Sequence, residues 1–484
     1  MTTHPDAAPT PTTGPNGRQE TDFLGTRNVP DSAYWGIQTL RAVENFPITG
    51  TAISSYPVFV KALAQVKHAA VLANFDLGLI SPSKTSAITK ACAEIENGRF
   101  IDQFVVDVIQ GGAGTSTNMN ANEVIANRAL EHLGLPKGQY IAIHPNGDVN
   151  MGQSTNDVYP TALRIAAIHG ARELLAAMDH LRHSFERKAE EFTDVLKVGR
   201  TQLQDAVPMT LGQEFSTYAV MIGEDQLRVQ EAATLLHEVN LGATAIGTGI
   251  NTHPDYAALA CTYLRSITGL PVVTAANLVE ATQDCGSFVQ FSGTLKRVAV
   301  KLSKICNDLR LLSSGPRAGF NEINLPPRQA GSSIMPGKVN PVIPEVVNQV
   351  AFEVIGNDLT VTMAAESGQL QLNAFEPIIG RSLFASLTHL TAACTTLASH
   401  CVDGITANTE FLRSQVEGSI GIVTILNPFI GYDAATSIAR TALATGRSVT
   451  DIVLERQLLT KGQLDQLLRP EYLTHPQPPT KATV

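Results

Sequence analysis

The sequence of 484 residues has few of the features that mark membrane or nucleic-acid-binding proteins. It contains no apolar run long enough to span a bilayer. It also lacks an excess of basic residues, since 35 Lys and Arg stand against 44 Asp and Glu and give a net charge of −9. This balance argues against nucleic acid or an anionic membrane as a partner. The composition predicts a soluble globular protein, in which an anionic ligand would need locally placed positive charge.

Cysteine is scarce and scattered. The six cysteines form no CxxC pair and show no zinc-like spacing with histidine. No ligand set in the sequence implies a metal or an organic cofactor, so neither is predicted. We expect the cysteines to be small buried apolar residues in a reducing compartment. The N-terminus has no basic region followed by an apolar run, so no signal peptide is predicted and the cytoplasm is the expected location.

Helical periodicity is abundant in the middle of the chain. Apolar residues recur at steps of three and four between residues 157 and 192, where the single proline lies early enough to be tolerated. Similar series occupy 211–222 and 288–309, the segment after Pro344, and 380–400. Helices of about 25 to 36 residues, roughly 40 to 54 Å long, favour an extended bundle whose narrow apolar stripes continue across subunits. The predicted fold class is therefore all-α.

The chain changes character at two places, which predicts three domains. The glycine-rich segment HPNGDVNMGQ interrupts the helical pattern near residue 150, and shorter segments with several Pro and Gly follow residue 410. The first twenty residues are rich in Pro, Thr and Gly and are expected to be disordered. We predict a tail at 1–20, an N-terminal domain at 21–153, a long-helix domain at 154–408 and a small C-terminal domain at 409–484.

Four polar clusters, at residues 111–120, 153–157, 199–208 and 331–340, interrupt these helices. The last places two hydroxyls, a lysine and an amide on one glycine-bounded loop, which suits a substrate with a carboxylate to bind and a proton to lose. The second lies at the start of the longest helix, where free backbone N–H groups can receive a carboxylate. Each cluster alone also fits a structural explanation: a connecting loop, a helix cap or a flexible turn.

A further glycine-rich segment, Gly242–Gly249, is a weaker signal. No strand pattern precedes it and the Walker lysine is missing, so it is not predicted to bind a nucleotide. It receives no function from the sequence.

Taken together, the four clusters resemble one family closely. The segments GGAGTSTNMNANEVIANRA, HPNGDVNMGQSTNDVYPT, VGRTQLQDAVPMTLGQEF and GSSIMPGKVNPVIPEVVNQV are similar, in this order and spacing, to the aspartase/fumarase superfamily with its GSSxMPxKxN signature. The resemblance extends from about Asp22 to about Leu473. It implies a three-domain fold whose central helix bundle is shared across a homotetramer, with each active site drawing on three subunits.

Within the superfamily the chain resembles the aspartases more than the fumarases. The flanking segments NPVIPEVVNQ, QLQLNAFEP and ATGRSV follow the aspartase pattern. Gln202 stands where fumarases carry a histidine that handles water, and glutamine cannot act as a base near neutral pH. The resemblance therefore implies reversible deamination of L-aspartate to fumarate and ammonia, and it leaves the proton donor to the amine unassigned. The alternatives are a fumarase or another fumarate-releasing lyase, and an inactive helical scaffold.

The resemblance also implies roles for individual residues. Ser332 would be the base, as an alkoxide that removes a proton from Cβ once the loop closes and backbone N–H groups surround the serine. The charge would pass into the β-carboxylate as a dianionic aci form, which needs many donors. The implied substrate-binding residues are Thr115, Ser154, Thr155 and Ser333 for the β-carboxylate, Thr201, Lys338 and Asn340 for the α-carboxylate, Asn156 for the amino group, and Gln202 beside them.

Overall fold

The computed structural model describes residues 17–476, which are mainly helical. Seventeen α-helices lie in this part of the chain. They are α1 (Ile37–Asn45), α2 (Pro57–Asp76), α3 (Pro82–Glu96), α4 (Thr115–His132), α5 (Thr155–Glu191), α6 (Leu211–Thr234), α7 (Tyr256–Thr268), α8 (Leu278–Ala281), α9 (Gly286–Leu312), α10 (Val342–Glu366), α11 (Glu376–His400), α12 (Thr409–Gly418), α13 (Ile422–Ile430), α14 (Tyr432–Thr445), α15 (Val449–Glu455), α16 (Lys461–Leu467) and α17 (Pro470–Thr474).

The strands of the described residues are short and pair only in twos. They are β1 (Gly17–Asp22), β2 (Gly25–Pro30), β3 (Leu196–Thr201), β4 (Gln204–Thr210), β5 (Glu238–Val239), β6 (Val273–Thr274), β7 (Ile323–Asn324) and β8 (Thr406–Ala407). Consecutive strands pair antiparallel except β5 with β6, which is parallel. The dominance of helix confirms the predicted all-α class.

The predicted N-terminal tail extends too far. Its residues 1–16 lie outside the described part, but residues 17–20 belong to β1 and pair with β2. These residues are held in place by the Arg18 guanidinium, which donates to Glu20 and to the backbone oxygens of Ala33 and Trp35. Glu20 in turn accepts from the Ile37 N–H at the start of α1.

The structure confirms the long helices that were predicted from the apolar periodicity. The series from residue 157 corresponds to α5, which has 37 residues, and the series at 211, 288, 344 and 380 correspond to α6, α9, α10 and α11. Pro160 lies inside α5 and offers no N–H to the oxygen of Asn156 four residues earlier. The Asn240 side chain donates to that oxygen instead, at 3.0 Å. No helix within residues 17–476 is both long and apolar enough to cross a membrane.

The chain divides into two compact units. The first contains the residues up to Leu175, Leu227–Arg297 and Phe352–Leu390, and the second contains Ala176–Gln226, Val298–Ala351 and the residues from Thr391 onward. In the first unit α2 packs against α3 and α7. These units are discontinuous along the chain, whereas the three domains predicted from the sequence are continuous segments. The predicted domain boundaries therefore stay a prediction.

The end of the second unit has a local core built by α13 to α16, which accounts for the shorter segments seen after residue 410. Its buried members include Ile422, Leu426, Ile438, Ile452 and Leu464. The six cysteines are all buried and free, which confirms the expectation that they serve as small apolar residues.

Candidate active site

The turn that presents Thr115 depends on glycine. Gly112, Ala113 and Gly114 precede α4 with φ of 89°, 55° and 90°. A Cβ on Gly114 would lie 2.2 Å from the ring of Tyr159, so both the backbone conformation and the space exclude larger residues. Thr115 then begins α4 exposed, with its hydroxyl donating to the Gly112 oxygen at 2.8 Å.

The start of α5 is capped by its own residues. Ser154 Oγ accepts from the Asn156 N–H at 3.2 Å, and the Asp157 carboxylate accepts from the Ser154 N–H at 3.0 Å. Of the two interpretations of this cluster, a helix cap or a carboxylate-binding helix start, the cap is therefore present. The Thr155 side chain takes no part in it. Thr155 Oγ1 accepts from Asn118 Nδ2 at 3.1 Å, which joins the starts of α4 and α5.

The segment Gly242–Gly249 closes against the start of α5. Asp157 Oδ2 accepts from the N–H groups of Gly242 and Thr244 at 3.1 and 2.9 Å, and Asn156 Nδ2 donates to the Ala245 oxygen at 2.7 Å. Among the described residues Asn156 Oδ1 accepts no hydrogen bond. The expectation that no strand precedes this segment is wrong, because the two-residue β5 ends at Val239 and pairs with β6.

Sequence reasoning missed Lys67, which lies fully buried on α2. Its ammonium donates to three amide oxygens, those of Asn118, Asn150 and Gln153, at 2.7, 2.8 and 2.9 Å. Burial lowers the pKa of Lys67 to about 7, and the Asp157 charge opposes that shift. Burial likewise raises the pKa of Asp157 to about 7, against the backbone hydrogen bonds that lower it.

The second unit carries the other predicted residues, beginning with a hairpin. Thr201 ends β3, and Gln202 and Leu203 form the tip with φ of 54° and 63°. All three residues are exposed. Lys197 near the base of the hairpin and Arg200 beside its tip both pair with the fully buried Glu322, Lys197 at 2.6 Å, which fixes the hairpin to the segment ahead of the serine loop.

The serine loop, Gly331–Asn340, closes on itself. The Gly331 N–H donates to the Lys338 oxygen, and Asn340 Nδ2 donates to the Gly331 oxygen, both at 2.7 Å. A Cβ on Gly331 would lie 2.7 Å from that Lys338 oxygen, so only glycine fits. Within the loop, Ser332 Oγ accepts from the N–H groups of Ile334 and Met335 at 3.2 and 3.0 Å. Two backbone donors thus already face the serine oxygen.

The lysine of this loop lines a cavity of about 510 Å³ in the second unit. Lys338 and Asn340 form one side, and Arg310, Asn321 and Asn324 are also in its lining. Two cations with several amides suit a carboxylate. Ser333 and Lys338 are exposed, while Ser332 and Asn340 are half-buried.

The predicted residues therefore form three groups. Thr115 and Ser154–Asn156 lie in the first unit, at the starts of two helices that the Asn118–Thr155 hydrogen bond joins, while the hairpin tip and the serine loop belong to the second. In the described part of the second unit, no hydrogen bond or ion pair joins Thr201 or Gln202 to the serine loop. No cluster of three or more His, Cys, Asp or Glu side chains within residues 17–476 could hold a metal ion.

Comparison with known proteins places these groups in a family context. The family model described as "Lyase" matches residues 25–356, and that of the fumarase C C-terminus matches 422–475. An aspartate ammonia-lyase of Helicobacter pylori is 60% identical over 459 residues, covering 95% of this chain and 98% of the relative.

Solved structures agree with this match. A fumarate lyase:delta crystallin from Brucella melitensis bound to cobalt superposes with a TM-score of 0.93 at 57% identity, covering 95% of this chain and all of that one. A class II fumarase from Schistosoma mansoni gives a TM-score of 0.90 at 34% identity, covering 96% of this chain and all of that one. This chain therefore shares its fold with a fumarate lyase:delta crystallin and with a class II fumarase.

Proposed function

The chain belongs to the lyase family that contains the aspartases and fumarases, and we propose that it catalyses the reversible deamination of L-aspartate to fumarate and ammonia. The observation that carries this proposal is the serine loop, where two backbone N–H groups donate to Ser332 Oγ. Such donors stabilise an alkoxide, so they lower the free-energy cost of deprotonating Ser332 and make its base form accessible.

The reaction is an anti elimination. Ser332 Oγ takes the proton from Cβ, and the electron pair of that C–H bond enters the β-carboxylate, which becomes a dianionic aci-carboxylate. This pair then forms the double bond of fumarate while the C–N bond breaks and its electrons leave with the nitrogen. The amino group leaves from its ammonium form, so the electron pair of the C–N bond converts it to neutral ammonia while the dianion returns to a carboxylate with one charge, and atoms, charges and electrons balance.

The first unit supplies donors for the developing dianion. Thr115, Ser154 and Thr155 carry hydroxyls at the starts of α4 and α5, where helix dipoles favour negative charge. The Thr115 hydroxyl would turn from the Gly112 oxygen to donate to the substrate. Ser333 adds a fourth hydroxyl from the serine loop. A single well-placed donor to an oxyanion stabilises the transition state by about 2.7 to 4 kcal/mol. Several such donors together would lower the barrier to removing the Cβ proton substantially.

Other residues hold the groups that do not change charge during proton transfer. Lys338, Asn340 and Thr201 bind the α-carboxylate, and Lys338 and Asn340 share the lining of one cavity. Asn156 receives the amino group through Oδ1, because its Nδ2 is occupied by the Ala245 oxygen. An amide oxygen accepts hydrogen bonds from an ammonium group, so this position favours an amine over a hydroxyl only weakly.

Gln202 distinguishes deamination from hydration more strongly. It lies at the hairpin tip with an exposed amide, which neither accepts nor releases a proton near neutral pH. A hydratase that uses histidine at this place to handle water has no equivalent group here. The function of Gln202 is therefore to bind substrate beside Thr201.

We further propose that the enzyme is a cytoplasmic homotetramer whose active sites each combine three subunits. An apolar stripe on α10 supports a second copy of this chain as its partner. Phe352, Leu359 and Met363 are each 62% exposed and Ile355 is 38% exposed, at spacings that place all four on one helix face. A face of this kind in a helical-bundle protein is buried when identical helices associate.

A direct assay separates the proposed reaction from its nearest alternative. The purified protein is expected to release fumarate, followed by its ultraviolet absorbance, from L-aspartate and not from L-malate. Fumarate from malate alone would identify a hydratase. No fumarate from either substrate would favour an inactive scaffold.

Replacing Lys338 with alanine is expected to weaken binding of a saturated dicarboxylate such as succinate by at least about tenfold, close to 1.4 kcal/mol, as well as lowering turnover. The reason is that Lys338 pairs with a charge that is present before the reaction starts. Calorimetry on the variant measures the dissociation constant. Lys90, an exposed lysine on α3, provides the matched control, and its alanine variant should bind as wild type does. Unchanged binding by Lys338→Ala would show that the α-carboxylate lies elsewhere.

A further inference from the structure

A continuous series of hydrogen bonds connects the buried lysine of α2 with a hydroxyl at the start of α5. Lys67 Nζ donates to Asn118 Oδ1 at 2.7 Å, and Asn118 Nδ2 donates to Thr155 Oγ1 at 3.1 Å. All three side chains are buried. Lys67 itself is fully buried, and Asn118 connects it to the Thr155 hydroxyl.

The direction of each hydrogen bond in this series is fixed. A lysine ammonium only donates, so the Asn118 oxygen must face Lys67 and its NH₂ group must face away. One proton of that NH₂ goes to Thr155, and the other goes to Asn150 Oδ1 at 3.1 Å. The amide of Asn118 therefore cannot turn over without breaking every one of its contacts.

Thr155 is constrained as a consequence. Its oxygen accepts from Asn118, and among the described residues its own hydroxyl proton is donated to no protein atom. That proton is therefore left for an acceptor outside these protein groups, which under the proposed function is the substrate. Lys67 thus orients the Thr155 hydroxyl indirectly, through the two hydrogen bonds that Asn118 makes with Lys67 and Thr155.

Lys67 is held as firmly as it holds Asn118. Its other two protons go to Asn150 and Gln153, and Asn150 also receives Asn122 Nδ2 at 3.2 Å. Three acceptors use all three protons of the ammonium form. The three protons of the Lys67 ammonium and the two Nδ2 protons of Asn118 all have acceptors, so these two side chains are held rigidly, and hydrogen bonds in series polarise one another.

We propose that Lys67 is a positioning residue for the deamination, which fixes Asn118 so that the Thr155 hydroxyl donates to the β-carboxylate as it becomes a dianion. This inference rests on the proposed function. It differs from a purely structural role of Lys67, which would affect stability and substrate binding alike and would not depend on Thr155.

The sharpest test exchanges Asn118 for aspartate. Asn118→Asp keeps the side-chain shape and gives Lys67 a carboxylate partner, but it removes the donor to Thr155 and offers an acceptor instead. The Thr155 proton then turns toward residue 118 and away from the substrate. We expect kcat for aspartate to fall at least about 100-fold, while the succinate dissociation constant changes by less than about threefold.

A double-mutant cycle with Thr155→Val separates positioning from general disturbance. Because the proposed effect of Asn118 passes through the Thr155 hydroxyl, Asn118→Asp should lower kcat by less than about threefold once that hydroxyl is gone. Lys67→Met should likewise lower kcat when Thr155 is present and should change kcat by less than about threefold in the Thr155→Val background. If Lys67→Met does not fold, the Asn118 cycle alone decides the question. Asn97→Asp provides the matched control, since Asn97 is exposed at the end of α3 and should tolerate the change with full activity.

Three results would overturn the inference in a wild-type enzyme that releases fumarate from aspartate. They are an unchanged kcat for Asn118→Asp, effects of Asn118→Asp and Thr155→Val that multiply fully, and an equal loss of succinate binding and turnover. A wild-type protein that does not act on aspartate contradicts the proposed function itself. The two failures are therefore distinguishable.

Discussion

Replacing Ser332 with alanine is expected to lower kcat for L-aspartate by at least about 10³, which corresponds to roughly 4 kcal/mol of transition-state stabilisation. The loss should appear in the chemical step alone, because Ser332 removes a proton and pairs with no charge of the bound substrate. Fumarate or succinate should therefore bind within several-fold of wild type. Steady-state kinetics with calorimetry on the same preparation measures both quantities.

Ser83→Ala is a suitable control for this experiment, since Ser83 is an exposed serine at the start of α3 and its loss should leave kcat unchanged. The two N–H groups that face Ser332 Oγ, from Ile334 and Met335, remain in the alanine variant and can bind water. Turnover retained by Ser332→Ala would show that this serine is not the base and that another group removes the Cβ proton.

The long helices could be predicted from the sequence because their cause is local. Apolar residues three and four positions apart form a face wherever the chain is helical, so the spacing in residues 157–192 was sufficient to locate α5. Its tolerance of Pro160 was only partly foreseen. The donor that replaces the missing N–H is Asn240, eighty residues further along the chain, and no local pattern predicts such a partner.

The hairpin that carries Thr201 was predicted only as a polar turn. Tight hairpin turns with positive φ usually contain Asn or Gly, whereas this one has Gln202 and Leu203 at its tip. The strands are instead held from outside, through Lys197 and Arg200 to the buried Glu322. Because that carboxylate is more than a hundred residues away along the chain, no local pattern predicts that the turn belongs to a hairpin.

Lys67 was missed although part of its signal was present. It lies four residues after Leu63 and four before Val71, both buried, so the helical spacing already assigned this lysine to the buried face of α2. A buried lysine needs partners, and that requirement alone marks a polar network. Which residues form the network could not be predicted, because Asn118, Asn150 and Gln153 are 51, 83 and 86 residues away.

Mixing two inactive variants is expected to restore activity if the sites are shared between subunits. Thr201→Val and Ser332→Ala damage different polar clusters, which the proposed tetramer takes from different chains for each site. When equal amounts are unfolded and refolded together, the chain that gives residue 201 is intact there in half of the sites, and the same holds independently for residue 332. About a quarter of the sites then carry neither lesion. The aspartate assay should therefore return close to a quarter of wild-type activity.

Each variant unfolded and refolded alone is the control, and it should stay as inactive as before treatment. Mixed tetramers must be demonstrated separately, for example by native mass spectrometry of two variants that differ in an affinity tag. A site built within a single chain contains Thr201 and Ser332 of that same chain, so every site in the mixture would keep one lesion. Mixed tetramers with no recovered activity would therefore refute the shared site, and they would require the hairpin tip and the serine loop of one chain to meet.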